Sequence, residues 1–299
     1  MRQLDAELRR FFARRIVRGT FIVAALIVAI AVGVGTANGH KATSLKYDPS
    51  TGTVIPSGES VSDPGRSFVE SGNGSGTFVV LQSDTRTNIG KDLRKVLEGT
   101  GIALLFAGFA LGASFVGAEF NVGSLTTQLL FEPRRWRVHG AKAAAVAIGA
   151  AALALAVMLL VALAMYIGSL LGGVVDGITA TFVVHRVAEA FRIAAAVGAG
   201  AALAYAITLV AKRSSAGMIA MFLQYPLLYL LDPAKKPFGV LSHYMPLRGL
   251  LAIAADPAGA TGVNERTIHT MAGGVVLVVV WLAVIVSASG FAFSRAEVR

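Results

Sequence analysis

The sequence predicts an all-α integral membrane protein of six transmembrane helices, with both termini in the cytoplasm. An interfacial helix precedes the first span, and an extracytoplasmic loop domain separates helices 1 and 2. Three observations predict this fold. Of 299 residues, 55% are hydrophobic and 15% charged, and the mean hydropathy is +0.67; a soluble domain carries about 25% charged residues. Six stretches lack Asp, Glu, Lys and Arg altogether: 19–40, 99–118, 143–175, 193–211, 214–231 and 267–294. At about 1.5 Å per residue, about 20 residues cross the roughly 30 Å hydrocarbon layer, where backbone groups must be bonded within the element, so each stretch supplies one helix. The third observation is where the net charge of +10 sits. With the N-terminus inside, segments 1–18, 119–142, 212–213 and 295–299 hold 14 basic and five acidic residues, while the outer segments 41–98, 169–180 and 232–266 hold 11 of each. Basic residues stay on the cytoplasmic side. The excess is therefore an orientation signal in a multi-pass protein of the cytoplasmic (plasma) membrane, and it needs no nucleic-acid partner.

The elements follow in order. Over residues 1–18, Leu4, Leu8, Phe11, Phe12 and Ile16 recur at helical spacing among Arg9, Arg10, Arg14, Arg15 and Arg18. Such a helix lies in the headgroup layer, or serves only as a topology anchor. The first span, 19–38, has an apolar stretch longer than a signal-peptide core and no clean cleavage site at Thr36-Ala37-Asn38, so it is expected to be retained. Residues 39–98 form the long polar outer loop. Small strands and turns suit its Gly72-Asn73-Gly74-Ser75-Gly76 run and Phe78–Leu81, and Ile89, Leu93, Val96 and Leu97 are spaced as a helix entering the second span. That span, 99–118, carries Gly108 and Gly112, a pair expected to pack within the subunit rather than across a dimer seam. A cytoplasmic loop, 119–141, leads to the third span, 142–168, which leaves the membrane through a Gly-rich exit. The fourth and fifth spans, 190–211 and 214–231, are joined by Lys212-Arg213, and Pro226 interrupts the fifth. An outer loop, 232–268, contains an apolar segment, 238–255, read as re-entrant. The sixth span is 270–293.

Several chemistries are excluded. There is no cysteine, the five histidines form no metal-spaced pair, and neither a GxSxG elbow nor a phosphate-cradling GxxxxGK[ST] occurs. The chain is thus read as a non-enzyme without a cofactor of its own, and a membrane-embedded enzyme is a poor reading. The span interiors lack carboxylates, since Glu119 and Glu189 are placed at helix ends. Ion-driven transport usually needs an ionisable group at membrane depth, so an external energy source is the better expectation. The remaining polar groups are the candidates for a pathway or gate: Arg186, Glu189 and Arg192 by the outer end of helix 4, and Gln224 and Tyr225 beside Pro226. For the first three, interfacial pairing is the ordinary explanation.

The most informative segment is the loop between helices 2 and 3, which reads Gly117-Ala-Glu119-Phe-Asn-Val-Gly123-Ser124-Leu-Thr-Thr-Gln-Leu129-Leu-Phe-Glu-Pro133-Arg134-Arg135-Trp-Arg137. Ser124 is suited to cap a short helix that Pro133 ends, with Leu125 and Leu129 on one face. So short a helix is marginal alone in water, and it is expected to dock on the membrane surface or on a second protein.

This run, E-x-x-x-G-S-L-x-T-x-L-L-x-x-P-R-R-x-R followed by Lys142, resembles the permease subunits of ABC-2-type transporters, with Ser124 where that family usually has Thr. The resemblance implies a permease that pairs with a separate ATP-binding cassette ATPase, which alone would hold ATP-Mg, and with a second permease copy or a related permease. It implies export, and a loop that acts as the coupling helix. Glu119, Gly123, Ser124, Leu129, Pro133 and Arg134 or Arg135 transfer as coupling residues. The outer segment 238–255 also resembles the external helical hairpin before the last span, whereas the length of 39–98 departs from the smallest members. A rival reading is a non-transporting scaffold or secretion protein whose outer loop binds a partner.

Overall fold

A run of apolar residues in lipid becomes helical because no other conformation bonds every N–H and C=O locally. The computed structural model describes residues 2–37, 44–48, 53–56, 78–81, 88–122, 134–230, 242–254 and 270–295, and these contain eight helices and three strands. In chain order they are α1 (Arg2–Ala13), α2 (Arg15–Ala37), β1 (Ser44–Asp48), β2 (Thr53–Pro56), β3 (Phe78–Leu81), α3 (Ile89–Val122), α4 (Arg135–Leu171), α5 (Ala180–Ala211), α6 (Ser214–Leu230), α7 (Pro246–Ala254) and α8 (Met271–Arg295). Four helices, α3, α4, α5 and α8, are long and apolar enough to cross a membrane. This is a helical, membrane-embedded, multi-pass protein. Helices α2 and α6, of 23 and 17 residues, occupy the places of the first and fifth expected spans.

Several helices outrun their apolar cores. α3 begins ten residues before 99, because Asn88 caps it: its Oδ1 accepts from the N–H groups of Gly90 (3.0 Å) and Lys91 (3.3 Å), while Asp92 accepts from the N–H of Asn88 (2.9 Å). The Arg94–Glu98 pair, one turn apart at 2.9 Å, stabilises the polar turn that follows. α4 starts at Arg135, seven residues before 142, and α5 starts at Ala180, ten before 190. The last extension corrects one expectation. Glu189 is the tenth residue of α5, fully buried and ion-paired with Arg186, so it does not sit at the helix end.

The chain divides into two compact units. One comprises Met1–Leu26, Arg94–Val161 and Ala180–Arg299. Its centre is α5, whose small residues admit neighbouring backbones. A Cβ on Gly108 would meet Val197, and one on Gly112 would land on the carbonyl of Ala201, so this glycine pair packs within the chain as expected. Lys212, the residue after the end of α5, is in the left-handed region at φ 54°, and α6 begins two residues later. α7 packs on α8 and α5. Trp281 Nε1, ten residues along α8, donates to the carbonyl of Tyr244 at 2.7 Å, and Gly249 and Ala252 lie against Gly274 near the start of α8. The segment 242–254 thus runs beside the first half of α8, about 15 Å of its length.

The other unit comprises Ile27–Leu93 and Ala162–Thr179. Within it β1 pairs antiparallel with both β2 and β3, giving the order β2-β1-β3 with Tyr47 opposite Val54 and Phe78. These strands lie between α2 and α3, in the segment expected as the outer loop, and add a small sheet to the predicted all-α fold. Asn88 also bridges to Val174 after the end of α4.

Candidate functional site

The strongest concentration of buried charge lies where α3 ends and α4 begins, at the neck of the loop singled out by sequence. Glu119 is three residues from the end of α3, and Lys142 is in the second turn of α4. Lys142 Nζ donates to Glu119 Oε1 at 2.7 Å and, more loosely, to Glu7 Oε2 of α1 at 3.4 Å. Lys142 and Glu7 are each 1% exposed and Glu119 is 6% exposed. The pair joining residues 119 and 142 therefore closes the loop at its base with a charge-assisted bond out of contact with water.

The N-terminal helix completes this cluster. Glu7 and Phe11 are one turn apart, so both point the same way from α1. Glu7 reaches Lys142, and Phe11, fully buried, lies over Gly149 two turns further along α4 and 5.8 Å from the ring of Phe115. A Cβ at Gly149 would meet the Phe11 ring at 2.5 Å, so the notch exists only because residue 149 is glycine. Full burial of such a ring is worth about 1.5–3 kcal/mol. Arg10 donates to the other oxygen of Glu7 at 2.9 Å, with half its side chain in water. Arg14 stacks 4.2 Å above Phe115, donates to the carbonyl of Ser114 at 3.2 Å and lies 3.6 Å from Glu119. Burial pulls the Arg14 guanidinium below its ordinary value, and Glu119 and Glu7 oppose that shift. Two carboxylates and three cations thus hold α1, α3 and α4 together. Burying so many charges requires nearly complete pairing; Glu119 Oε2 is buried with no hydrogen-bond partner among the described residues.

A second polar junction lies beside it. His139, one turn before Lys142, places Nε2 3.0 Å from the carbonyl of Val286 and Nδ1 3.3 Å from the hydroxyl of Tyr205. A carbonyl only accepts, so Nε2 carries the proton and Nδ1 receives the Tyr205 hydroxyl. Ser289 adds a contact at 3.3 Å. Arg135 donates at 3.3 Å to the carbonyls of Phe293 and Ser294, which close α8 and have no helical partner. The start of α4 is therefore stitched to α5 and α8 as well as to α1 and α3.

The residues singled out by sequence fare differently. Glu119 is central to the cluster. Arg135 is occupied by the end of α8, while Arg134 is exposed, as is Arg137. Gly123, Ser124, Leu129 and Pro133 lie outside the described residues. Arg186 and Glu189 form their pair, Arg186 also lies over Phe182, and Arg192 follows one turn after Glu189 on α5. Gln224 accepts from the N–H of Leu247 at 3.1 Å, satisfying a free donor at the start of α7, and Tyr225 packs edge-on against Phe106. Sequence reasoning missed Glu7, Arg14 and Lys142 as a unit, together with His139. The available signal was Glu7 itself, an acid one turn from Phe11 on the apolar side of a basic helix.

No protein-family model, curated protein or solved structure matches this chain.

Proposed function

We propose that this chain is the permease subunit of an ABC-2-type exporter: six spans with both termini cytoplasmic, pairing with a second permease and with a separate ATPase that holds ATP-Mg. The observation that carries the reading is the ion-paired neck. A loop that receives force from a moving partner needs a base that does not yield, and Glu119–Lys142 supplies one in a water-free site braced by α1, α4 and α8. The neck lies at the segment whose sequence resembles the coupling helix. Arg134 and Arg137 are exposed beside it and suit a partner with an acidic rim. No nucleotide motif exists in the chain, so the energy source is placed on the partner. Gln224, Tyr225 and the Arg186–Glu189–Arg192 group remain pathway candidates in this reading.

The test is co-purification of the tagged chain from its native membrane, followed by ATP turnover and transport measurements on the complex. An associated ATPase is expected, with Glu119→Ala retaining that association but losing at least about tenfold in transport per ATP hydrolysed, as loss of one buried charge contact predicts. Absence of any ATPase, or unchanged transport in Glu119→Ala, overturns the reading. A variant lacking 45–85 that still binds the ATPase but loses function would favour a scaffold whose outer sheet binds a partner.

A further inference from the structure

The contacts of α1 have an arrangement that a permanent staple would not need. Among the partners of Glu7, Arg10 and Lys142 lie on different bodies: Arg10 belongs to α1 itself, three residues on, whereas Lys142 belongs to α4. Lys142 likewise has two, Glu7 at 3.4 Å and Glu119 at 2.7 Å, the shorter bond being the one that excludes α1. If α1 leaves, Glu7 departs with Arg10 and Lys142 stays with Glu119. Neither acid is stranded, so separation avoids the bare buried charge that makes breaking an ordinary buried pair prohibitive.

The hinge is also present. α1 and α2 are separated by one residue, Arg14, which is outside both helices. Its guanidinium is fixed on Phe115 and Ser114, so the pivot stays in place while the segment before it is free to turn. The helix has somewhere to go. On α1 itself Phe12 is 43% exposed, and Arg9 and Arg10 are exposed beside it. Together with Phe11 once it is freed, they compose the apolar face and basic flank that bind a lipid surface bearing anionic headgroups.

We propose that α1 is a releasable latch, pivoting at Arg14 between the Gly149 notch, where Glu7 meets Lys142, and the anionic face of the membrane. Docked, it shields the Glu119–Lys142 neck from water; released, it exposes that pair to solvent while the Glu119–Lys142 bond keeps the loop closed at its base. The proposal concerns this chain alone and does not depend on any ATPase.

The full-length chain, free of cysteine, is reconstituted in nanodiscs of phosphatidylcholine with phosphatidylglycerol. Nitroxides are placed through Ala6→Cys and Arg137→Cys, both exposed positions, and the distance distribution is measured by pulsed electron resonance. Two populations are expected. Glu7→Gln removes the charge that Lys142 holds in the docked state and raises the released fraction about tenfold. Nanodiscs of phosphatidylcholine alone act the opposite way: they lack the anionic surface on which the released helix lies, and lower the released fraction about threefold. A passive staple does not respond to the lipid. A single short distance under every condition, or a released fraction that does not fall when phosphatidylglycerol is omitted, overturns the latch. Should Glu7→Gln fail to fold, the labelled parent protein in the two lipid compositions decides alone: a lowered released fraction without phosphatidylglycerol supports the latch, and an unchanged or raised one refutes it.

Discussion

Two polar regions of the same bundle solve the problem of buried polarity in opposite ways. At the loop neck, side chains from α1, α3 and α4 pair with one another as full charges: Glu7, Glu119, Lys142 and Arg14. Around α7, side chains pair with backbone: Gln224 receives the N–H of Leu247, Trp281 donates to the carbonyl of Tyr244, and small residues at 249, 252 and 274 close the gap. A side chain bonded to a helix terminus satisfies a group with no better partner in a dry setting, so that contact is fixed. A charge shared between two partners can be transferred from one to the other. The comparison therefore separates a region built to stay from one built to change partners.

The largest test of this contrast is Lys142→Met. It leaves Glu7 and Glu119 facing each other in a site that excludes water, and removal of one partner from a buried ionic set costs about 3–5 kcal/mol. Thermal unfolding of the purified protein is expected to shift downward by about 10 °C. A shift below about 2 °C, which corresponds to less than about 1 kcal/mol, would show that the neck carries little stability and that the contrast is false. Next in size is Gly149→Leu. Its side chain fills the notch beneath Phe11 and expels α1, at about 1–3 kcal/mol. Protease sensitivity at the arginines of α1 should rise while the rest of the bundle stays protected; unchanged cleavage would mean that α1 is held by its charges alone.

The limits of sequence reading follow from the same contrast. The lipid-spanning parts of α3, α4, α5 and α8 are legible because a charge-free run of about 20 residues has one stable outcome in a bilayer. Their true lengths are not. Before the second apolar run the spacing of Ile89, Leu93, Val96 and Leu97 already reads as a helix, and α3 does begin at Ile89; what spacing does not show is the cap by Asn88 and the Arg94–Glu98 pair that hold this polar turn. The apolar stretch 238–255 reads as too interrupted to span, and its described part, 242–254, carries the short helix α7 beside α8. The neck cluster was only half legible. Glu119 and Lys142 were noticed as boundary markers of a loop, but Glu7 is 135 residues from Lys142, and spacing arguments reach only along one element. The same holds for His139, whose partners Tyr205 and Val286 come from two other helices. Residues 123–133, where the resemblance is densest, lie outside the described structure.

The smallest expected effect sharpens the comparison best, because it should leave the neck untouched. Gln224→Leu keeps the volume of the side chain and removes the acceptor for the N–H of Leu247. An unsatisfied buried donor costs about 1–3 kcal/mol, toward the low end where a neighbouring group can relax to replace the bond. Leu247 itself is fully buried, and Gly249 and Gly274 still bring α7 against α8, so the helix keeps its seat. Hydrogen exchange followed by mass spectrometry should then show faster exchange at 245–249 and no change over α1 or at 135–142. If α1 also loosens, the two regions are coupled through α5 and α8, and the fixed end of the bundle and its latch act as one unit rather than two.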